Sequence, residues 1–448
     1  MSACVSAANA RQVLASTSPT VFTAWATQGT SRRRGHPPSF PLLQCTVSRL
    51  LRAYPADAAH LPILKRSLPS AHSSARALLF QCAIETVCSS PHPMEARAGG
   101  SSSDCDQLKS LSSNLNGKGK DRDLCIPVYS APEVLQKLKS KWDSVEKQPY
   151  RAMYSSVFGG ITVDPTMMVI PLDDHMVHRG HGVFDTAMIL DGYIYELDDH
   201  LDRLLGSASM AKIAPPFPKS TLKSILIQTT AVSQCKRGSL RYWLSAGPGD
   251  FLLSSAGCPT SAFYAVVVEE DYVPLEQGVK VTTSTVRMKP PEFATMKSVN
   301  YLPNVLAVLE AEEKGAYTSI WVDDDGYVAE GPNVNVAFIS PSKELLLPSF
   351  DKILGGCTAK RLITLAAALV DQGLLKSVCV ENITVDQAKG SAEMMLVGSG
   401  LPILPITMWD EQPIGDGKVG ELTLALSDLL WQDMVLGPET HRIPVPYV

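Results

Sequence analysis

Pro290-Pro-Glu-Phe-Ala-Thr-Met-Lys297-Ser-Val-Asn-Tyr301-Leu-Pro-Asn304 places one lysine a few residues ahead of a run whose apolar positions recur at helical spacing. The pattern predicts an amphipathic helix over 302–314, closed by Gly315. A lysine in such a place is ordinarily a solvated surface charge. The segments on either side of it give it another meaning.

Downstream, Thr318-Ser-Ile-Trp-Val-Asp-Asp-Asp325-Gly326-Tyr-Val-Ala-Glu330 carries an Asp-Gly pair between two apolar runs, the signal of a tight hairpin. Glu330 ends the second run inside an apolar stretch. It is either an edge carboxylate in water or the partner of a pyridinium nitrogen. Leu354-Gly-Gly-Cys357-Thr358 then leads into a predicted helix over 359–372. Two glycines and a threonine at a helix N-cap suit an anion, because free N–H groups and the helix dipole converge there. The same pattern also serves as a plain structural cap. Val397-Gly398-Ser399-Gly400 frames a second hydroxyl at a strand end. Upstream, the glycine-rich run His178-Arg179-Gly180-His181-Gly182-Val-Phe184-Asp185-Thr186 precedes Asp199-His200-Leu-Asp-Arg203. There His200 and Arg203 share one helix face.

Taken in this order and spacing, the segments resemble the fold-type IV pyridoxal 5′-phosphate (PLP) enzymes, which include branched-chain and D-amino-acid transaminases and aminodeoxychorismate lyases. The resemblance covers about residues 150–440. At 175–186 and 240–252 the wording is similar to the plant chloroplast branch of D-amino-acid transaminases and aminodeoxychorismate lyases. It implies an α+β fold with a small N-terminal domain and a larger C-terminal pseudo-barrel, assembled as a homodimer. It also implies that Lys297 is the Schiff-base lysine and proton carrier, and that Glu330 pairs with the ring nitrogen. Arg203, the N–H groups of Cys357 and Thr358, the Thr358 hydroxyl and Ser399 would hold the phosphate. Tyr301 and Asn335 would touch the ring or order its neighbours.

The resemblance implies a PLP-dependent aminotransferase acting on an amino acid and a 2-oxo acid, with D-alanine and 2-oxoglutarate as the leading pair. Aminodeoxychorismate lyase activity, yielding 4-aminobenzoate and pyruvate for folate synthesis, uses the same residues. Branched-chain transamination is a third reading, and a PLP-binding protein without catalysis a fourth. This chain departs from the family where bacterial relatives grip the substrate carboxylate: Arg179 replaces a tyrosine and Ala246 an arginine. A carboxylate in a desolvated pocket still needs a cation. Arg179, with Arg241, is therefore expected to supply it, and Phe184 to contact the substrate. A simple ion pair of Arg179 with Asp173 or Asp174 is the alternative.

The remaining features frame the site. Residues 1–100 are rich in Ser, Ala, Pro and Arg, with Asp57, Glu85 and Glu95 as their acidic residues, the composition of an organelle transit peptide. A chloroplast destination is expected, with the mitochondrion second. A Gly/Ser/Asn/Lys linker occupies 101–127, a small α+β domain 128–273 and a large cofactor-binding domain 278–448. Within the small domain, helices are predicted over 131–147, 198–213 and 219–233. Net charge −5 gives no reason to expect nucleic acid, and no apolar run is long enough to span a membrane. Scattered cysteines without paired histidines predict neither a metal site nor a disulfide framework.

Overall fold

The computed structural model describes residues 3–5, 126–147, 149–272 and 277–447. The transit peptide and linker expected before 128 therefore lie, except for 3–5 and 126–127, outside the described residues. From Val128 onward the chain forms one compact unit built on two sheets.

The first sheet is antiparallel and has seven strands among the described residues. In spatial order they are Arg442–Pro444, Tyr193–Tyr195, Gly182–Leu190, Gly238–Ser245, Ala262–Glu269, Tyr150–Ser155 and Gly160–Thr162. Helices Leu197–Met210 and Lys219–Ser233 cover one face with Leu201, Leu204, Leu222 and Leu226, all fully buried. Both follow the predicted helices closely. The edge strand Arg442–Pro444 comes from the far C-terminus, which returns to pair with Tyr193–Tyr195. A division of the chain at 278 thus does not separate the two sheets cleanly.

The second sheet is mixed and contains nine strands among the described residues. Its centre is Glu344–Pro348, Asn335–Ile339, Glu393–Val397 and Ile403–Trp409, with Val279–Thr283 and Thr318–Ile320 continuing beyond in parallel. The backbone of Ala3–Val5 adds an edge strand beside Ser377–Glu381. Helices Cys357–Asp371 and Glu421–Leu436 pack on one face through Leu362, Ala366, Leu426 and Leu430. Met188, Leu190 and Tyr195 of the first sheet join that same core and tie the two layers together.

Three differences from the sequence reading have physical causes. Helix Ala131–Asp143 forms, with a capping box at Ser130 and Glu133, but buries none of its residues. Its apolar positions give it periodicity, while its ends are held locally. The helix expected at 359–372 starts earlier, at Cys357, so Gly356 and not Thr358 is its N-cap. Cys379 is disulfide-bonded, a correction to the expectation drawn from scattered spacing, whereas Cys235, Cys258 and Cys357 are free thiols. Among the described residues, no helix is long and apolar enough to cross a membrane.

Candidate active site

Lys297 belongs by sequence to the C-terminal half, yet its backbone is stitched to the first sheet. Its carbonyl accepts from Phe184 N–H at 3.0 Å, and Val299 N–H reaches the Gly182 carbonyl at 3.1 Å. Its own N–H donates to Ser207 Oγ at 3.1 Å. Nearby Gly180, at φ 66°, is held by Asn300 Nδ2 donating to its carbonyl at 3.1 Å. An added Cβ at Gly180 would lie 2.4 Å from Asn300 Oδ1, so the left-handed turn and the close approach both need glycine. With its backbone fixed, Lys297 turns its side chain into a cavity of about 370 Å³. Nζ lies 4.8 Å from the Phe184 ring centroid. Burial, then the Arg203 charge, lowers its pKa from 10.5 to about 8.

Glu330 lines the same cavity. Its carbonyl closes the hairpin by accepting from Trp321 N–H at 2.9 Å, and its Oε2 accepts from Leu354 N–H and Asn335 Nδ2, both at 3.3 Å. It is 8 % exposed. Burial pushes its carboxyl up to about 8, against the pull of the Leu354 amide and the charges of Lys289, Lys297 and Arg203. Such a carboxylate lacks a close counter-cation, and a protonated ring nitrogen would supply one.

The same cavity also carries a candidate anion cradle. Gly356 caps helix Cys357–Asp371 with no side-chain hydrogen bond, which leaves the first N–H groups unsatisfied. Thr358 Oγ1 and Ser399 Oγ lie 3.3 Å apart beside them. A Cβ on Gly356 would sit 2.0 Å from Asn335 Oδ1, so only glycine lets the cradle approach the ring end. Arg203 supplies the charge. On the strand Gly182–Leu190, Phe184 and Thr186 face the cavity while Asp185 turns the other way. Asp185 then takes Arg203 Nε at 2.9 Å and Nη2 at 2.7 Å, with His200 Nδ1 at 2.9 Å. Burial alone would raise the Asp185 carboxyl, but Arg203 and His200 hold it far below the carboxylate range. The guanidinium is thereby locked in place.

The structure brings Arg203, Lys297, Glu330, Cys357, Thr358, Ser399, Tyr301, Asn335, Arg241 and Phe184 to this one cavity. Tyr301 meets Phe184 edge-on at 5.1 Å. Arg241 sits at the margin, paired with Glu270 at 2.9 Å. Arg179 is not among the residues that line the cavity. Its side chain is exposed and donates to the carbonyls of His178, at 2.9 Å, and Phe251, at 2.5 Å, so neither Asp173 nor Asp174 pairs with it. Residues given no role from sequence also matter. Asp185, His200 and Ser207 position the site, and the last two lie on the Arg203 face at helical spacing, a signal that the sequence does carry. Lys289 and Asn304 line the cavity with no pattern to announce them.

The residues fit PLP: a desolvated amine, a buried carboxylate in need of a cation, and a phosphate-sized anion cradle with a fixed arginine. Residues 182–409 match the family model Amino-transferase class IV. Over 323 residues the chain is 59% identical to the chloroplastic D-amino-acid transaminase of Arabidopsis thaliana, covering 72% of this chain and 86% of that protein. It is 26% identical to the D-alanine aminotransferase of Bacillus licheniformis, over 60% of this chain and 92% of that one. The fold is similar to that of a T.th. branched-chain amino acid aminotransferase solved with pyridoxamine 5′-phosphate. That similarity has a TM-score of 0.62 at 21% identity and covers 67% of this chain and all (100%) of the other.

Proposed function

The chain belongs to the class IV aminotransferases, which are PLP-dependent, and on that premise we propose that it is a D-amino-acid transaminase. The observation that carries the substrate class is the 59% identity, over 86% of its length, to a relative named for that activity. When bound, PLP supplies an electron sink for charge developing at the substrate α-carbon.

The chain's own residues do the rest. Arg203, the Cys357 and Thr358 N–H groups and the hydroxyls of Thr358 and Ser399 would hold the phosphate. Glu330 would hold the ring nitrogen and favour its protonated form, which would give this buried carboxylate a close counter-cation. Lys297 Nζ would hold the cofactor through its aldehyde carbon, and its amine, once freed by substrate, would carry a proton between the substrate α-carbon and that cofactor carbon, which lie on either side of one nitrogen. The lowered pKa of Lys297 keeps a fraction of the amine neutral near neutral pH, as a base requires. Phe184 and Tyr301 flank the substrate, and Arg241 stands at the mouth.

We further propose a homodimer in the chloroplast. The exposed apolar stripe Leu302, Val305, Leu306 and Leu309 supports a second copy as partner. The location is supported by the Ser-rich, acid-poor leader and by the relative's chloroplastic name. Light scattering of the purified protein and imaging of a fluorescent fusion check these two points.

The deciding assay offers purified protein D-alanine with 2-oxoglutarate, L-leucine with 2-oxoglutarate, and aminodeoxychorismate. Pyruvate formed from D-alanine with stoichiometric glutamate is expected, with slower turnover of L-leucine. Pyruvate released from aminodeoxychorismate, with no amino transfer from D-alanine, would overturn the transaminase reading.

A further inference from the structure

Four cations line the cavity: Arg203, Arg241, Lys289 and Lys297. Arg203 is bound by Asp185, and Arg241 by Glu270 at the half-exposed margin. Lys297 is the amine given to the cofactor above. Lys289 has no such commitment. Among the described residues no carboxylate forms an ion pair with it, and its ammonium lies 4.8 Å from the Tyr301 ring centroid. Burial lowers its pKa and Glu330 partly restores it.

Lys289 is also placed rather than free. Pro290 and Pro291 follow it, which confines its backbone to extended conformations and starts the short helix Pro291–Ala294. That helix leads straight to Lys297, so both amines hang on one rigid connection. A desolvated ammonium over an aromatic face is stabilised by the ring but still lacks an anion. Once a ring nitrogen engages Glu330, the one carboxylate acting on Lys289 is taken.

We propose that Lys289 is the carboxylate anchor for substrate in this cavity, its ammonium receiving a carboxylate of the amino acid or 2-oxo acid. This rests on the cavity holding PLP and an amino acid, but not on the handedness of that amino acid. It also answers the charge problem left by Ala246 and by the position of Arg179 outside the cavity. Tyr301 would form one wall of the anchor and Arg241 a second, looser contact at the mouth.

The test uses the full-chain holoenzyme with K289M, K289Q and K289R. Two unreactive carboxylates, propionate and glutarate, are titrated, and binding is read from the cofactor absorbance. PLP affinity and KM for D-alanine and D-glutamate are measured alongside. K289M should weaken carboxylate binding about 10- to 100-fold, as expected for a lost charge-assisted contact. PLP affinity should hold within about twofold, and K289R should recover most of the loss. K289Q serves where K289M does not fold. Weakening of both probes assigns the α-carboxylate, and weakening of glutarate alone assigns a side-chain carboxylate; either supports the anchor. Unchanged probe binding, PLP affinity falling in step with it, or no saturable binding to the wild-type enzyme would overturn it. The probes carry no amino group and no chirality. A failure of D-alanine turnover would therefore count against the transaminase proposal and leave this one standing.

Discussion

Replacing Glu330 with glutamine should stabilise the cofactor-free protein in alkaline solution while disabling the enzyme. In the folded chain burial raises this carboxyl from 4.5 to about 8, and the Leu354 amide with three nearby cations offsets only part of that. Between those two values the unfolded chain has released its proton and the folded chain has kept it. Folded stability must then fall as pH rises through that window, by about 1.36 kcal/mol per pH unit. Over the whole gap the penalty is on the order of 5 kcal/mol, an upper bound for a site in contact with other charges. A glutamine at this position cannot ionise, so E330Q should match wild type near pH 4.5 and exceed it above pH 8. Urea unfolding of both cofactor-free proteins, at one protein concentration because association adds to apparent stability, reads the difference. Adding PLP should reverse the order, since a protonated ring nitrogen relieves the wild-type carboxylate and leaves glutamine with a weaker partner. Parallel pH curves for the two apoproteins would refute the placement of Glu330 as a desolvated carboxylate waiting for a cation.

Three further outcomes follow from the geometry. R203Q should weaken PLP binding about 10- to 100-fold in an equilibrium titration, as one charged phosphate contact is lost, and kcat of the saturated enzyme should fall less. G356A forces a Cβ to within 2.0 Å of Asn335 Oδ1, so cofactor retention on gel filtration should drop sharply even though alanine suits helices. R179M should leave KM for amino acids within about twofold of wild type in steady-state assays, because loss of exposed contacts to two backbone carbonyls costs little.

The parts of the site legible in sequence are those whose function dictates local backbone. Gly356 announces the cradle because the turn into helix Cys357–Asp371 tolerates no Cβ there, and Glu330 is marked by the hairpin it closes. Lys297 gains meaning only from its place among these. What stays hidden depends on contacts between distant residues. Asp185 reaches Arg203 from a strand that precedes the helix, and nothing in its local sequence distinguishes it from an edge carboxylate. Arg179 falls outside the cavity for the same reason: its partner is the Phe251 carbonyl, 72 residues away, and backbone acceptors leave no mark in side-chain patterns. The helix boundary at Cys357 differs from the expected one because a glycine start with no side-chain cap looks like a loop in the sequence. The return of Arg442–Pro444 to the first sheet is likewise a long-range pairing without a local signal.

These hidden contacts explain why the chemistry sits where the two sheets meet. In the proposed site the phosphate would be met from the first sheet by Arg203, fixed by Asp185, while the N–H groups of helix Cys357–Asp371 and Glu330 come from the second. Lys297 is covalently part of the second half but takes its direction from Phe184, Gly182 and Ser207 of the first. Neither half alone presents an amine, a carboxylate and an anion cradle at one spacing. Cofactor binding must therefore be linked to docking of the two halves, since a ligand that contacts both adds its binding free energy to the joined state. Disturbing the seam at Ser207 or Asn300 should then appear first as lost cofactor, with little change in how substrate carboxylates bind to the enzyme that still holds it. A substitution at Lys289 should produce the opposite pattern, because it stands on the segment that leads into the seam without itself joining the halves.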